Sequence, residues 1–275
     1  MEELEMARCR SIFLSDMHLG SPWCRAQNLL DFLSSHDCSE LYLVGDTLDN
    51  WHLERGRVLP EKHLQVWEYL MRMARHTKMV YITGNHDRFL HKDSQYYFLF
   101  KNTFSHMELC QKTVHTAADG RRYLVTHGDV FDSTIKIPMV EKVTTFLYES
   151  LRSMGSRLPK AGRICRAEKL YLRIIRLQEM VTRIFGDPEK KMLKEIRSEG
   201  LDGIICGHTH LAKCKYINSL LIANCGHWLG TCHALVEKED GVFSLLPWND
   251  TRTDEAKVPK YQIAPLEATA RLRTR

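Results

Sequence analysis

Five strand-sized apolar runs in this sequence are each followed at once by a cluster of Asp, His or Asn, and that pairing restricts the fold more than any other feature. The runs are Ser11 to Ser15, Leu41 to Val44, Met79 to Thr83, Tyr123 to Thr126 and Gly203 to Cys206. Asp16 and His18 follow the first in SDMHLG, and Asp46 follows the second in LVGDTLDNW. GNHD, with Asn85, His86 and Asp87, follows the third, His127 the fourth in VTHGD, and His208 and His210 the fifth in CGHTH. Between the runs lie patterns with apolar residues three and four apart, as in Leu64, Trp67, Leu70, Met71 and Ala74, and around Leu29, Leu30, Phe32 and Leu33, which predict helices with one buried face. Strand, polar motif, helix, strand is the order of an α/β fold whose site lies at the strand ends. Three further runs, Leu220 to Ala223, Ala234 to Glu237 and Val242 to Leu246, leave no room for helices between them and predict added antiparallel strands.

The residue types in these clusters suit a divalent cation. Asp16 and His18 are two apart, as are His208 and His210, so each pair points to one side of an extended chain. A carboxylate with imidazoles matches Mn, Fe, Zn or Co. Gly45 permits the tight turn that aims Asp46 into a crevice, where one carboxylate can bridge two ions. Asn85 offers a neutral oxygen, with the titratable His86 beside it. So many ionisable groups at adjacent strand ends are costly to bury unpaired, and bound cations remove that cost.

Charge is unevenly placed. The chain of 275 residues carries a formal +5, whereas Thr134 to Gly200 alone holds 15 Lys/Arg against 8 Asp/Glu, which predicts an anionic partner for that segment. Ile135 to Arg197 breaks the strand rhythm and predicts two or three helices, with Pro138, Pro159 and Pro188 near their starts or joins. Within it, Leu170, Ile174, Leu177, Val181 and Ile184 form one stripe, and Arg166, Lys169, Arg173, Arg176 and Arg183 form another roughly opposite. Such a helix caps a site or meets a membrane surface; a solvated basic face is the plainer alternative. Residues 1–250 are expected to form one domain, with a helical basic insertion over about 134–200 and a loosely ordered tail over 251–275. Nine cysteines without a CxxC pair argue against a disulfide framework or a zinc ribbon. No apolar run approaches the ~20 residues of a membrane span. Met1 to Arg10 lacks the apolar core of a secretory signal, so a cytoplasmic location is expected, with contact at the inner face of the membrane through the insertion.

DMH, GD, GNHD, HG and GHTH together resemble the calcineurin-like metallophosphoesterase superfamily over roughly the first 130 residues and again near 203–237. The resemblance implies a four-layer αββα sandwich with the site at one edge. It also implies that Asp16, His18, Asp46 and His210 hold one ion, and that Asp46, Asn85, His127 and His208 hold the second. Mn is favoured over Fe, Zn, Co or Mg. His86 falls on the family's catalytic histidine, which is not a ligand, and Asp87 is expected to orient it. The implied chemistry is hydrolysis of a phosphate ester by metal-activated hydroxide.

Three details, GDTLDNW with its Trp51, the HGD form of the fourth motif and the basic insertion after it, are similar to the UDP-2,3-diacylglucosamine pyrophosphohydrolases of lipid A synthesis. In that family the insertion is a lid for acyl chains, and the products are UMP and a diacylglucosamine 1-phosphate. Arg166, Arg173 and Arg176 become candidates for headgroup or diphosphate contacts, and Arg88 for a phosphate contact. The better-known form of that enzyme has Arg where this chain has His86; GNHD resembles a second, less typical group. A nuclease or nucleotide phosphodiesterase of the same superfamily is the alternative, disfavoured because Tyr148, Tyr171 and Phe185 are too scattered for a base-stacking series. A scaffold that keeps the fold without catalysis, as in the retromer relatives, is disfavoured because His86 and every ligand are present.

Overall fold

The computed structural model describes residues 7–50, 58–132, 173, 176, 180 and 186–248. Two sheets face each other. The first has six strands in the order β11-β10-β1-β2-β3-β4 and the second has five in the order β5-β6-β7-β9-β8. The first is built from β1 (Ala7–Leu14), β2 (His36–Val44), β3 (Lys78–Ile82) and β4 (Met107–Cys110), all parallel, with β10 (Cys232–Glu237) and β11 (Phe243–Trp248) added antiparallel beside β1. In the second, β6 (Arg122–Thr126), β7 (Gly203–Cys206) and β9 (Leu220–Asn224) are parallel, flanked by antiparallel β5 (Lys112–Thr116) and β8 (Lys213–Ile217).

Strand alternation divides the apolar residues between layers. From β1 to β3, Phe13, Tyr42, Val44, Val80 and Ile82 point between the sheets, where they meet Tyr123, Val125, Ile205 and Leu221. Their neighbours Ile12, Leu14, Leu41, Leu43 and Tyr81 point the other way, under helices α1 (Ala26–Ser35), α2 (Glu61–Met73) and α3 (Gln95–Thr103). Across the second sheet, Leu124, Ile204 and Ile222 pack against Met192 and Ile196 of α4 (Pro188–Ser198). The layers are therefore helix, sheet, sheet, helix, as expected. Helix α4 lies within the segment read as an insertion, yet it packs into the body; Pro188 opens it and Asp187 caps it by accepting from the Glu189 amide. Such a start fixes φ and satisfies a free donor.

One expectation changes in part. Of the three late runs, β10 and β11 pair antiparallel with each other, whereas β9 lies in the second sheet, antiparallel to β8 and parallel to β7. Strands β4, β5 and β8 and helix α3 were absent from the sequence reading. Strand β8, KCKYI, is intermediate in burial at every position and has little apolar pattern. It is held by a two-residue hairpin in which Asn218 and Ser219 both have positive φ (49° and 66°), the turn that matches strand twist.

Candidate metal centre

Every motif leaves the carboxyl end of a parallel strand: β1, β2 and β3 of one sheet, β6 and β7 of the other. Backbone hydrogen bonds lace these loops together. The Asp16 amide donates to the Gly45 carbonyl (3.1 Å), that of His18 to Asp46 (2.8 Å), and that of Gly207 to His127 (2.9 Å). The sheets are joined by the His208 amide, which donates to Asp16 Oδ2 at 3.0 Å. Seven described non-glycine residues have positive φ, and five of them are Asp16 (52°), His18 (49°), Asp46 (51°), His208 (69°) and His210 (58°). Each such residue costs about 1–2 kcal/mol. Strain of this kind persists where surrounding structure enforces it, and it clusters at functional sites.

All seven predicted ligands converge. His210 Nε2 is 3.0 Å from Asp16 Oδ1, and His18 Nε2 lies 3.8 Å from both Asp16 Oδ1 and Asp46 Oδ2. On the other side His127 Nε2 is 3.3 Å from Asp46 Oδ2 and 3.2 Å from Asn85 Oδ1, which is also 3.2 Å from His208 Nδ1. Single ligand atoms of Asp16, His18 and His210 lie within 4.8 Å of one another, as do those of Asp16, Asp46 and His127 and of His18, Asp46 and His86. Asp46 belongs to both sides, as a bridging carboxylate would.

Donor accounting tests whether these groups suit cations. His127 Nδ1 lies 3.0 Å from the Val44 carbonyl, an acceptor only, so a neutral ring keeps its proton on Nδ1 and offers Nε2 to a cation. Nε2 faces two oxygens, Asn85 Oδ1 and Asp46 Oδ2, and with no cation between them Asp46 overcomes burial and raises the ring well above the usual histidine value. Asp16 Oδ1 is fully buried without a hydrogen bond of ordinary geometry. Acceptors turned on acceptors in a dry pocket repel unless a positive charge stands among them, so the donor set fits divalent metal.

The calcineurin-like phosphoesterase family model matches residues 9–212, most of the chain. The chain belongs to this family. A UDP-2,3-diacylglucosamine hydrolase from Shewanella loihica (strain ATCC BAA-1088 / PV-4) is 26% identical over 212 residues, covering 73% of this chain and 80% of that protein. Among solved structures, the phosphoesterase Yfce from E. coli is 18% identical, with a TM-score of 0.47, covering 92% of this chain and 99% of its own. Vacuolar Protein Sorting 29 from Cryptosporidium parvum is 12% identical, with a TM-score of 0.45, over 92% and 97%. This phosphoesterase is a metal-dependent hydrolase.

In the phosphoesterase site buried carboxylates and imidazoles offset one another. Burial pushes the Asp46 carboxyl up, but His127 and His86 outweigh it and hold the group well below the carboxylate range. Asp16 is lowered in the same way by His210 and His127. Burial and the neighbouring His86 bring His18 down to about 4, so its ring is neutral at neutral pH with a lone pair to give. Burial lowers His86 too, yet Asp46 and Asp49 overcome it and raise the ring to about 9.

Asp87, expected to orient His86, makes its described hydrogen bonds to the loops instead. Its carboxylate accepts from the Thr47, Leu48 and Gly84 amides (3.1, 3.0 and 3.4 Å) and from the Tyr81 hydroxyl at 3.1 Å, tying the second motif loop to the third. Burial and Asp46 raise it to about 7. The carboxylate beside His86 is Asp49, with Oδ1 3.3 Å from Nδ1 and Oδ2 3.8 Å from His18 Nδ1. Sequence reasoning passed over it although it stands in the quoted GDTLDNW. It also passed over Asp132, whose Oδ2 is 3.0 Å from His208 Nε2. Arg88 is exposed in a 3-10 turn, Arg88–Leu90, directly after GNHD. Arg173 and Arg176 are helical and exposed; Trp51 and Arg166 lie outside the described residues. No described helix is long and apolar enough to cross a membrane.

Proposed function

We propose that this phosphoesterase holds two divalent ions, Mn favoured, and cleaves the diphosphate of a nucleotide-linked lipid, UDP-2,3-diacylglucosamine, to UMP and diacylglucosamine 1-phosphate. One observation carries the two-ion reading: Asp46 lies between an Asp16, His18, His210 group and an Asn85, His127, His208 group, with lone pairs turned inward from both. Two ions, when bound, supply a nucleophile at neutral pH and neutralise charge on the phosphoryl oxygens.

The chain's own residues do the rest. His86 is one of the partly exposed members of the cluster, with Asn85, His208 and His210. The Asp49 carboxylate, 3.3 Å from His86 Nδ1, favours a protonated ring. That proton stabilises the charge growing on the leaving oxygen, or is passed to it. Asp49 holds Nδ1 and so sets the orientation of the ring. The strained loops hold the ligands before substrate arrives, so little reorganisation is left to the reaction step.

The substrate reading is supported by the relative of that name at 26% identity and by the GDTLDNW and HGD motifs. The exposed Arg173 and Arg176 suit the phosphates of a lipid substrate and the anionic surface that carries it. A Mn-supplemented assay compares UDP-2,3-diacylglucosamine, bis-p-nitrophenyl phosphate and single-stranded DNA. Rapid UMP release at low lipid concentration is expected; turnover of the generic ester or DNA alone would discard the lipid substrate and keep the phosphoesterase.

A further inference from the structure

We infer that Asp132 is the positioning residue that selects the tautomer of His208 and so builds the second ion's site; this rests on the two-ion reading. A neutral imidazole has one proton and two nitrogens, and it can give a metal only the nitrogen left bare. For His127 the Val44 carbonyl settles which. For His208 the backbone does not. Its Nδ1 lies 3.2 Å from Asn85 Oδ1 and its Nε2 3.0 Å from Asp132 Oδ2. Both nitrogens face oxygen, and the proton goes to the stronger acceptor. A carboxylate is that acceptor, because a hydrogen bond to an ionised group is roughly twice as strong as one between neutral groups. The proton therefore rests on Nε2, and Nδ1 turns its lone pair toward Asn85 Oδ1. A proton on Nδ1 would deny that nitrogen to the second ion.

Asp132 is fixed well enough to do this. Gly128 takes φ 108°, which turns the chain after His127 into the 3-10 turn Asp129–Phe131. The Asp132 amide closes that turn on the Asp129 carbonyl at 3.0 Å. Phe131 is buried with Met192, Ile196 and Leu201, and its carbonyl accepts from Lys191 Nζ at 3.0 Å. The carboxylate, only 7% exposed, is thus delivered from one motif loop to the histidine of another. Carboxylates behind metal-bound histidines commonly set ring orientation in this way, and their loss costs about 10–100-fold in metal affinity or activity.

The test is a Mn titration of the chelator-stripped protein, read by the free-Mn electron paramagnetic resonance signal, for wild type, Asp132→Ala and Asp132→Asn. Wild type should take up two equivalents. Asp132→Ala should keep one near wild-type affinity and weaken the other by about 10–100-fold, with the stripped protein melting as wild type does. Asp132→Asn, which keeps an acceptor oxygen, should recover part of the loss and stands in if the Ala variant does not fold. A two-bond nitrogen–proton spectrum should report the Nε2–H form of His208 in wild type and a mixture in Asp132→Ala. Two unaltered equivalents in the Ala variant, or both weakening together as the stripped protein loses stability, would overturn the assignment. Fewer than two equivalents in wild type would instead refute the two-ion reading on which it rests.

Discussion

Gly84→Ala separates the geometry of the centre from its chemistry, since no ligand is changed. A Cβ at Gly84 would overlap Asp46 Oδ1, stand 2.7 Å from the Asp46 amide nitrogen and 2.8 Å from His127 Cδ2, where ordinary contact begins at 3.4 Å. Both neighbours are buried, and Asp46 Oδ1 already accepts from the His86 amide at 2.9 Å. The His127 ring must therefore move by about 0.6 Å and the Asp46 backbone by about 0.7 Å, while metal–ligand distances tolerate only about 0.2 Å. Overpacking of this kind costs about 1–3 kcal/mol, so the fold should survive while the bridge between the two ligand groups does not. Thermal unfolding with and without Mn, and metal content by mass spectrometry, should show a folded protein whose melting temperature no longer rises with Mn. Gly120→Ala is the control. Its φ is +83° with nothing within 4 Å, so it adds backbone strain of about 1–2 kcal/mol without collision and should bind metal as wild type does. Wild-type Mn affinity in Gly84→Ala would show that the ligand loops have slack, and the preorganisation argument would fail.

The remaining expectations concern single side chains. His86→Ala should keep both ions and lose about 10²–10⁴-fold in turnover, whereas Asp46→Ala should lose metal as well; unchanged metal content in the Asp46 variant would remove the bridging assignment. Asp49→Asn should retain metal and lower kcat by about 10–100-fold, checked by kinetics on a small ester; an unaltered kcat would free His86 from its carboxylate. Far from the centre, Glu237 is fully buried against Arg10 (2.9 Å), His115 Nε2 (2.8 Å) and the Ala118 amide (2.8 Å). Glu237→Leu should therefore cost about 3–5 kcal/mol by taking their shared carboxylate from Arg10 and His115 Nε2, a figure denaturant titration would check. Burial opposes but its partners depress the Glu237 carboxyl, His115 depresses Glu40 to about 2, and the two glutamates overcome burial to raise His115. The glutamates then stabilise above their unfolded values, near 4.5, and lose this as pH falls through their depressed values; His115 stabilises below its unfolded value, near 6.5, and loses this as pH rises through its raised one. Unfolding free energy measured against pH should have its plateau between those limits, and a monotonic profile would count against the network.

How far the fold was legible depends on how much apolar pattern each strand carries. Strands buried on both faces announce themselves: β7, GIIC, and the carboxyl half of β2, LYLV, are continuous apolar runs because both faces of a central parallel strand are covered. Edge strands carry less. Strand β5, KTVHT, buries only His115 fully and exposes Val114, so its sequence has the alternation of neither a helix nor a half-buried strand. What holds it is pairing with β6 and the His115 contact with Glu237, 122 residues away. The placement of β9 was hidden for the same reason. Three short runs in succession suggest a meander, but the burial of Leu221 and Ala223 between the sheets makes β9 the neighbour of β7, a choice made by packing rather than by connection length.

At the centre the division falls between groups whose position follows from a strand and groups whose position follows from a turn. Asp16, Asp46, Asn85, His127 and His208 lie within three residues of a strand's carboxyl end, so identifying the strand locates the ligand. Asp49 and Asp132 stand five and six residues past β2 and β6, beyond turns that reverse the chain, and spacing alone cannot say which way either carboxylate points. The same blindness made Asp87 look like the partner of His86. Adjacency in GNHD brings two side chains near in sequence, yet their described hydrogen bonds differ: Asp87 accepts from three amides and a tyrosine hydroxyl, and His86 Nδ1 meets Asp49. A carboxylate that accepts several backbone amides fixes loops, and one that meets an imidazole nitrogen tunes it. The amino-acid type is the same in both roles, so only the partners each oxygen meets once the loops are placed distinguish them: backbone amides for Asp87, imidazole nitrogens for Asp49 and Asp132.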